Sequence, residues 1–193
     1  MSTEYSDVDP VGEQTALNLA RGSLFTALMG GFAYVSFPNP LSPVPVTLQV
    51  LGVFLAGIML GPLWGGFAQT LYLIVGAVGV PVFAGGSAGV GVLLGPTGGY
   101  LLAYPLAAVA VGAVVHRGFS LRDASAAPTP LLVGGTVLGT VLIYAGGVAG
   151  LVALGGNGLV EAVSIGVVAF LPVEAVKIVA AVGIVRSDAV AAT

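Results

Sequence analysis

The sequence predicts an all-α integral membrane protein with six transmembrane helices, on the strength of its composition, its length and the spacing of its breaks. Of 193 residues, 57% are hydrophobic and only 7% charged, with a mean hydropathy of +1.08; soluble domains carry about a quarter charged residues. The apolar residues fall in long runs separated by Gly- and Pro-rich breaks. At roughly 20 residues per span the chain holds about six, with no room for a separate soluble catalytic domain. The expected organisation is an acidic cytoplasmic tail over residues 1–18, one six-helix membrane domain over 19–186, and a short C-terminal tail over 187–193.

The tail before the first span holds Glu4, Asp7, Asp9 and Glu13, which account for much of the net charge of −3. It reads as a solvated segment, with adaptation to high salt as the alternative. An acidic start is the opposite of a secretory signal, so the first apolar run is expected to be a retained span. That span runs from about Leu19 to Phe37. Four prolines between Pro38 and Pro45 cannot propagate a helix and predict a stiff extended loop at the membrane surface. The second span follows from about Val46 to Leu60, and Gly61-Pro62 turns the chain into a third, from about Leu63 to Val82. The fourth is expected from Gly98 to Val115, the fifth from Leu131 to Leu154 and the sixth from Leu159 to Val185.

The five basic residues orient this array. With both termini in the cytoplasm, Arg21, Arg117, Arg122 and Arg186 all fall at cytoplasmic ends, as the positive-inside rule requires. Lys177 is the exception. It lies nine residues before Arg186, about 13 Å along a helix, too deep for simple snorkelling. Glu174, three residues earlier, shares its helix face. An ionisable side chain inside a span costs several kcal/mol unless paired or facing a cavity. The pair is therefore read as a ligand site, with an ion pair that only fixes helix packing as the competing reading.

Other chemistry is excluded or weak. The chain has no cysteine and one histidine, His116, beside Arg117 in what reads as a polar loop; no metal site, thiolate nucleophile or intramembrane enzyme is expected. No Walker sequence occurs, and Gly89-x-Gly91 is followed by Leu94 where a dinucleotide fingerprint needs glycine. No cofactor and no nucleic acid is expected. The glycine-rich stretch from Phe83 to Tyr100 allows close backbone approach to a ligand, or is a surface loop whose glycines only turn. Gln49 and Tyr72 stand out among the polar residues of the spans because Gln49 follows the proline-rich loop; Gln69, Tyr104, Tyr144 and Ser164 read as interhelical hydrogen bonders. Ser23, Ala27 and Gly31 make a small-residue helix face.

Several ordered blocks carry a family resemblance. Pro43-Val44-Pro45-Val46-Thr47-Leu48-Gln49, Gly57-Ile58-Met59-Leu60-Gly61-Pro62, Leu71-Tyr72, the run from Gly76 to Gly86, and Gly95-Pro96-Thr97-Gly98-Gly99-Tyr100 resemble the BioY family. That family is the biotin-binding S component of energy-coupling-factor (ECF) transporters. The resemblance runs from about Gly22 to Tyr104 and resumes from Pro172 to Lys177. It implies a six-helix S-component fold, biotin as substrate, and partners comprising a transmembrane T subunit and two ATPase subunits. Family members usually carry Asp-x-x-Lys on the last helix where this chain has Glu174-x-x-Lys177. Their first-helix Ala-x-x-x-Ala, linked to T-subunit docking, is here Ala27-x-x-x-Gly31.

The resemblance thus implies substrate contacts at Glu174, Lys177, Gln49, Tyr72, Gly85, Gly86, Thr97 and Gly98, with Phe83 and Tyr100 as apolar walls. It implies a partner contact at Ala27 and Gly31. A stand-alone proton-coupled secondary transporter, with Glu174 as the coupling carboxylate, is the alternative. The orientation is testable in this cysteine-free chain. An impermeant maleimide applied to intact cells should label Ser87→Cys and spare Ser125→Cys; the opposite pattern would mean an inverted topology.

Overall fold

In hydrocarbon every backbone N–H and C=O must be satisfied internally, so the apolar runs become helices wherever no proline or glycine interrupts them. The computed structural model describes residues 12–42 and 44–187. Glu4, Asp7 and Asp9 of the acidic tail, Pro43, and residues 188–193 lie outside the described residues. The chain is an all-α bundle of six passes, with one small β-hairpin among the described residues.

Helix α1 (Glu13–Tyr34) begins six residues before the expected Leu19, so residues 13–18 extend the first pass. After it, strands β1 (Ser36–Phe37) and β2 (Val46–Thr47) pair antiparallel and bracket the proline-rich loop. The expected extended loop is therefore anchored at its base by a ladder.

The next helical run, α2 (Gln49–Ala77), is a hairpin. Gln49 hydrogen-bonds Tyr72; on one straight helix these residues would lie about 35 Å apart. The reversal occurs at Gly61, whose backbone (φ 76°, ψ 180°) lies in a region open essentially to glycine alone. Just past the reversal, a Cβ on Gly65 would sit 2.8 Å from the Ala56 carbonyl oxygen, so the two arms touch backbone to backbone. Gly61-Pro62 thus separates the second and third passes, as the sequence predicts.

This elbow leaves a polar debt. Pro62 has no N–H to give the Ile58 carbonyl four residues earlier. His116 supplies the donor: its Nε2 lies 2.9 Å from Ile58 O. Its Nδ1 accepts the Arg122 backbone N–H at 3.1 Å. A carbonyl can only accept and an N–H can only donate, so the ring is held as the neutral Nε2–H tautomer. The histidine expected in a polar loop is in fact 1% exposed, because a carbonyl 58 residues away needs it.

A 3₁₀ turn (Ala84–Gly86) and the single-turn α3 (Val90–Leu93) fill the glycine-rich break before α4 (Gly98–Val115). Helix α5 (Thr129–Ala153) lies against α4 at backbone distance; a Cβ on Gly99 would stand 2.1 Å from Gly146 O. The sixth pass is discontinuous. Helix α6 (Leu159–Gly166) stops, Val168–Phe170 makes a 3₁₀ turn, and α7 (Leu171–Val185) resumes. Pro172 accounts for the restart, since it fits the first turn of a helix and disfavours helix before it.

Helix α1 packs on α2, α2 on α4 and α4 on α5, while α7 touches both α2 and α5 and closes the bundle. Thr26 Oγ1 on α1 donates to Ala68 O of α2 at 2.9 Å. At the elbow end, the Arg186 guanidinium donates to the carbonyls of Ser125 and Ala127, pinning the loop between α4 and α5.

The His116 cap predicts a graded response. His116→Leu should lower stability by about 1–3 kcal/mol, the cost of orphaning a buried carbonyl. His116→Gln, which keeps a donor and an acceptor, should recover part of it. Thermal unfolding in detergent would show the order; equal losses would mean that only ring volume matters.

Candidate substrate-binding site

At the end of the bundle opposite the elbow, the proline-rich and glycine-rich loops and the break in the sixth pass enclose a cavity of about 330 Å³. This lies at the lower end of the range for small-molecule sites, roughly 300–1,000 Å³. Each wall has a distinct origin. Thr47 and Gln49 come from the junction of β2 with α2; Phe83, Ser87 and Thr97 from the glycine-rich break; Tyr100 and Tyr104 from α4; Tyr144 from α5; and Glu174 and Lys177 from α7.

Glu174 and Lys177 are 2% and 4% exposed. Lys177 Nζ donates to Glu174 Oε1 at 2.6 Å, the one ion pair among the described residues. Glu174 Oε2 is buried and has no hydrogen-bond partner among the described residues. The carboxylate lies in the first turn of α7, whose N-terminal dipole favours negative charge. The break in the sixth pass therefore begins a helix beside the cavity and gives the carboxylate a favourable field. Its second oxygen makes no hydrogen bond of good geometry, and the Tyr144 hydroxyl neighbours the carboxylate.

The break also frees carbonyls, and distant side chains satisfy two of them. Tyr100 Oη donates to Gly166 O at 2.8 Å, and Asn39 Nδ2 donates to Ala169 O at 3.3 Å. Tyr100 is seated by a notch, since a Cβ on Gly147 would come within 2.2 Å of its ring. Phe83 is seated likewise against Gly76 and packs edge-on to Tyr72, with ring centroids 5.5 Å apart. The glycines here make room for aromatic walls.

Of the residues singled out in the sequence, Glu174, Lys177, Gln49, Phe83, Thr97 and Tyr100 border the cavity. Tyr72, Gly85, Gly86 and Gly98 are not among the bordering residues. Tyr72 sits behind Gln49. Gly85 and Gly86 (φ 66° and 76°) form the turn that brings Ala84 and Ser87 to the wall. Gly98 opens α4 tight against Leu93 O. Thr47, Tyr104, Tyr144 and Phe170 border the cavity without having been singled out as contacts. The signal for Thr47 was its place two residues before Gln49; the tyrosines gave none beyond polarity in a span.

Ala27 and Gly31 lie on the outward face of α1, with Ser23, and a Cβ on Gly31 would meet nothing within 4 Å. The inward face of that helix is instead Gly22, Thr26, Met29, Gly30 and Ala33. Among the described residues, no group of three acidic or histidine side chains could hold a metal ion.

The sequence model of the BioY family matches residues 4–192. Among curated proteins, the chain is 49% identical over 90 residues to a probable biotin transporter BioY of Pyrococcus horikoshii, covering 47% of this chain and 54% of that protein. It is 44% identical over 99 residues to the biotin transporter BioY of Thermotoga maritima, covering 51% and 57%. It is 38% identical over 121 residues to that of Rhodobacter capsulatus, covering 63% and 64%. The alignments thus span about half to two thirds of these curated relatives. Among solved structures, the crystal structure of an S-component for biotin from an ECF-type ABC transporter superposes with a TM-score of 0.78 at 26% identity. It covers 91% of this chain and 92% of that one.

The buried pair predicts a stability signature. Glu174→Leu or Lys177→Met alone leaves an uncompensated buried charge and should cost about 3–5 kcal/mol, whereas the double replacement should be near neutral. Thermal unfolding of the three variants without ligand would measure this. A double variant as unstable as either single would show that the fold requires the ion pair.

Proposed function

The chain belongs to the BioY family, and from that membership we propose that it is the biotin-binding, substrate-specificity component of an ECF-type uptake transporter. One observation carries the reading: a buried carboxylate beside a buried ammonium, in a cavity walled mainly by aromatic and aliphatic groups. The ureido ring of biotin has two N–H donors and a carbonyl acceptor. Glu174 Oε2 accepts a ring N–H, while Lys177 donates to the carbonyl or to the valerate carboxylate. Charge-assisted bonds of this kind are roughly twice as strong as neutral ones. The thiophane ring and alkyl chain lie against Phe83, Tyr100 and their aliphatic neighbours, and Gln49 and Thr97 supply further polar contacts.

The glutamate is one methylene longer than the usual aspartate of the family, which moves the carboxylate further from the α7 axis and keeps its role. Gly85, Gly86 and Gly98 contribute by shaping the loops at the mouth.

Energy comes from ATP hydrolysed by partner subunits. The chain contains no Walker sequence. The outward small face around Ala27 and Gly31 suits close docking of a transmembrane T subunit that carries two ATPases. Both termini are cytoplasmic in this assembly, and the cavity opens to the outside.

Calorimetric titration of the detergent-solubilised chain should show one-to-one binding of biotin and none of thiamine or riboflavin. Glu174→Ala and Lys177→Ala should each weaken biotin binding by roughly 30-fold or more, the scale of a truncated buried charge pair. Ala27→Trp or Gly31→Trp should abolish copurification with the T subunit and ATP-driven uptake while leaving biotin affinity unchanged. Binding of another vitamin in place of biotin would overturn the substrate. Tryptophan variants that still assemble and transport would remove the docking face.

A further inference from the structure

Behind the cavity wall, a chain of hydrogen bonds ends on a backbone carbonyl and thereby acquires a single direction. Tyr72, fully buried, lies 2.8 Å from Val82 O. A carbonyl only accepts, so the one hydroxyl proton of Tyr72 is committed there. Its oxygen is left to accept, and the Gln49 side chain 2.7 Å away must present Nε2–H to it. Gln49 Oε1 is thereby turned toward Thr47, whose Oγ1 donates to it at 2.9 Å. The orientation of a side-chain amide is ordinarily an assignment between two nearly superimposable alternatives; here the Val82 carbonyl decides it.

Gln49 and Thr47 border the cavity and Tyr72 does not. We infer that Tyr72 is a positioning residue. It does not touch the substrate, and it fixes which end of the Gln49 amide donates and which accepts, so that the one N–H and one lone pair of Gln49 left over meet the ligand in a set order. This assigns Tyr72 a role distinct from the substrate contact suggested by sequence, and its effect on affinity rests on the biotin reading above. The same chain reaches the loop after the third pass through Val82 O. Because Phe83 packs on the Tyr72 ring, Tyr72→Phe removes the lock and keeps the packing.

Two measurements test this, one of them without ligand. The chain has three glutamines, Gln14, Gln49 and Gln69, so selective ¹⁵N-glutamine labelling yields three side-chain amide pairs. Gln49→Leu identifies the Gln49 pair by its loss. In Tyr72→Phe, the Gln49 protons should shift and exchange faster with solvent while the other two pairs hold still. An unchanged Gln49 pair overturns the inference whatever the ligand is.

The second measurement is a cycle of biotin affinities. Tyr72→Phe should weaken binding by about tenfold, the scale of one buried hydrogen bond. In a Gln49→Leu background, the same change should move affinity less than about twofold, because contacts that act through one another are not additive. An equal loss in both backgrounds would mean that Tyr72 acts through packing alone and would overturn the inference. If the wild-type chain binds another vitamin and not biotin, the substrate assignment fails, and the amide spectra still decide the role of Tyr72. Should Tyr72→Phe fail to fold, Gln49→Glu replaces the donor with a second acceptor. A wild-type affinity in that variant would likewise overturn the claim.

Discussion

A carboxylate and an ammonium, each almost sealed from water, can persist in this bundle only because each has the other within hydrogen-bonding distance. Much of the surrounding architecture follows from housing them. Their helix has to begin near the cavity, so that the carboxylate gains the field of its N-terminus. The sixth pass is accordingly broken, and the break in turn requires donors for the carbonyls it exposes. Tyr100 and Asn39 provide them from α4 and from the proline-rich loop. A single costly pair thus recruits three separate segments of the chain to one end of the molecule.

The opposite end follows the same logic with a different residue. The Gly61 elbow removes a helical donor, and His116 replaces it. At both ends an interruption that would be prohibitive in hydrocarbon is made tolerable by a polar side chain brought from far along the sequence. The seam between α4 and α5 is built differently. These helices approach at glycines, Gly99 against Gly146 at the cavity end, and dispersion between closely spaced backbones holds them.

The six passes were legible because each rests on local signals: an apolar run, and a Gly-Pro or proline cluster to end it. The charged pair was legible because charge in an apolar run is conspicuous. What escaped the sequence was non-local. Nothing near His116 announces that Ile58 lacks a donor; the clue is Pro62, and reading it requires knowing that α2 folds back. The break after Gly166 was signalled only by Pro172, which a continuous sixth span from 159 to 185 overlooked. Tyr72 looked like a contact because it is polar and lies in a block that resembles the family, yet its hydroxyl is spent on Gln49 and Val82. Gly98 looked like a place for a ligand to approach, and the Leu93 backbone fills that room; Gly85 and Gly86 turn the chain at positive φ and do not border the cavity.

The bond between Ile58 and His116 also has a bearing on how the protein is made. The two partners are 58 residues apart, and the second and third passes leave the ribosome well before the histidine does. Until the fourth pass is in place and the chain has reached Arg122, the elbow lacks its protein donor for the Ile58 carbonyl. The fourth pass therefore completes the turn between the second and third.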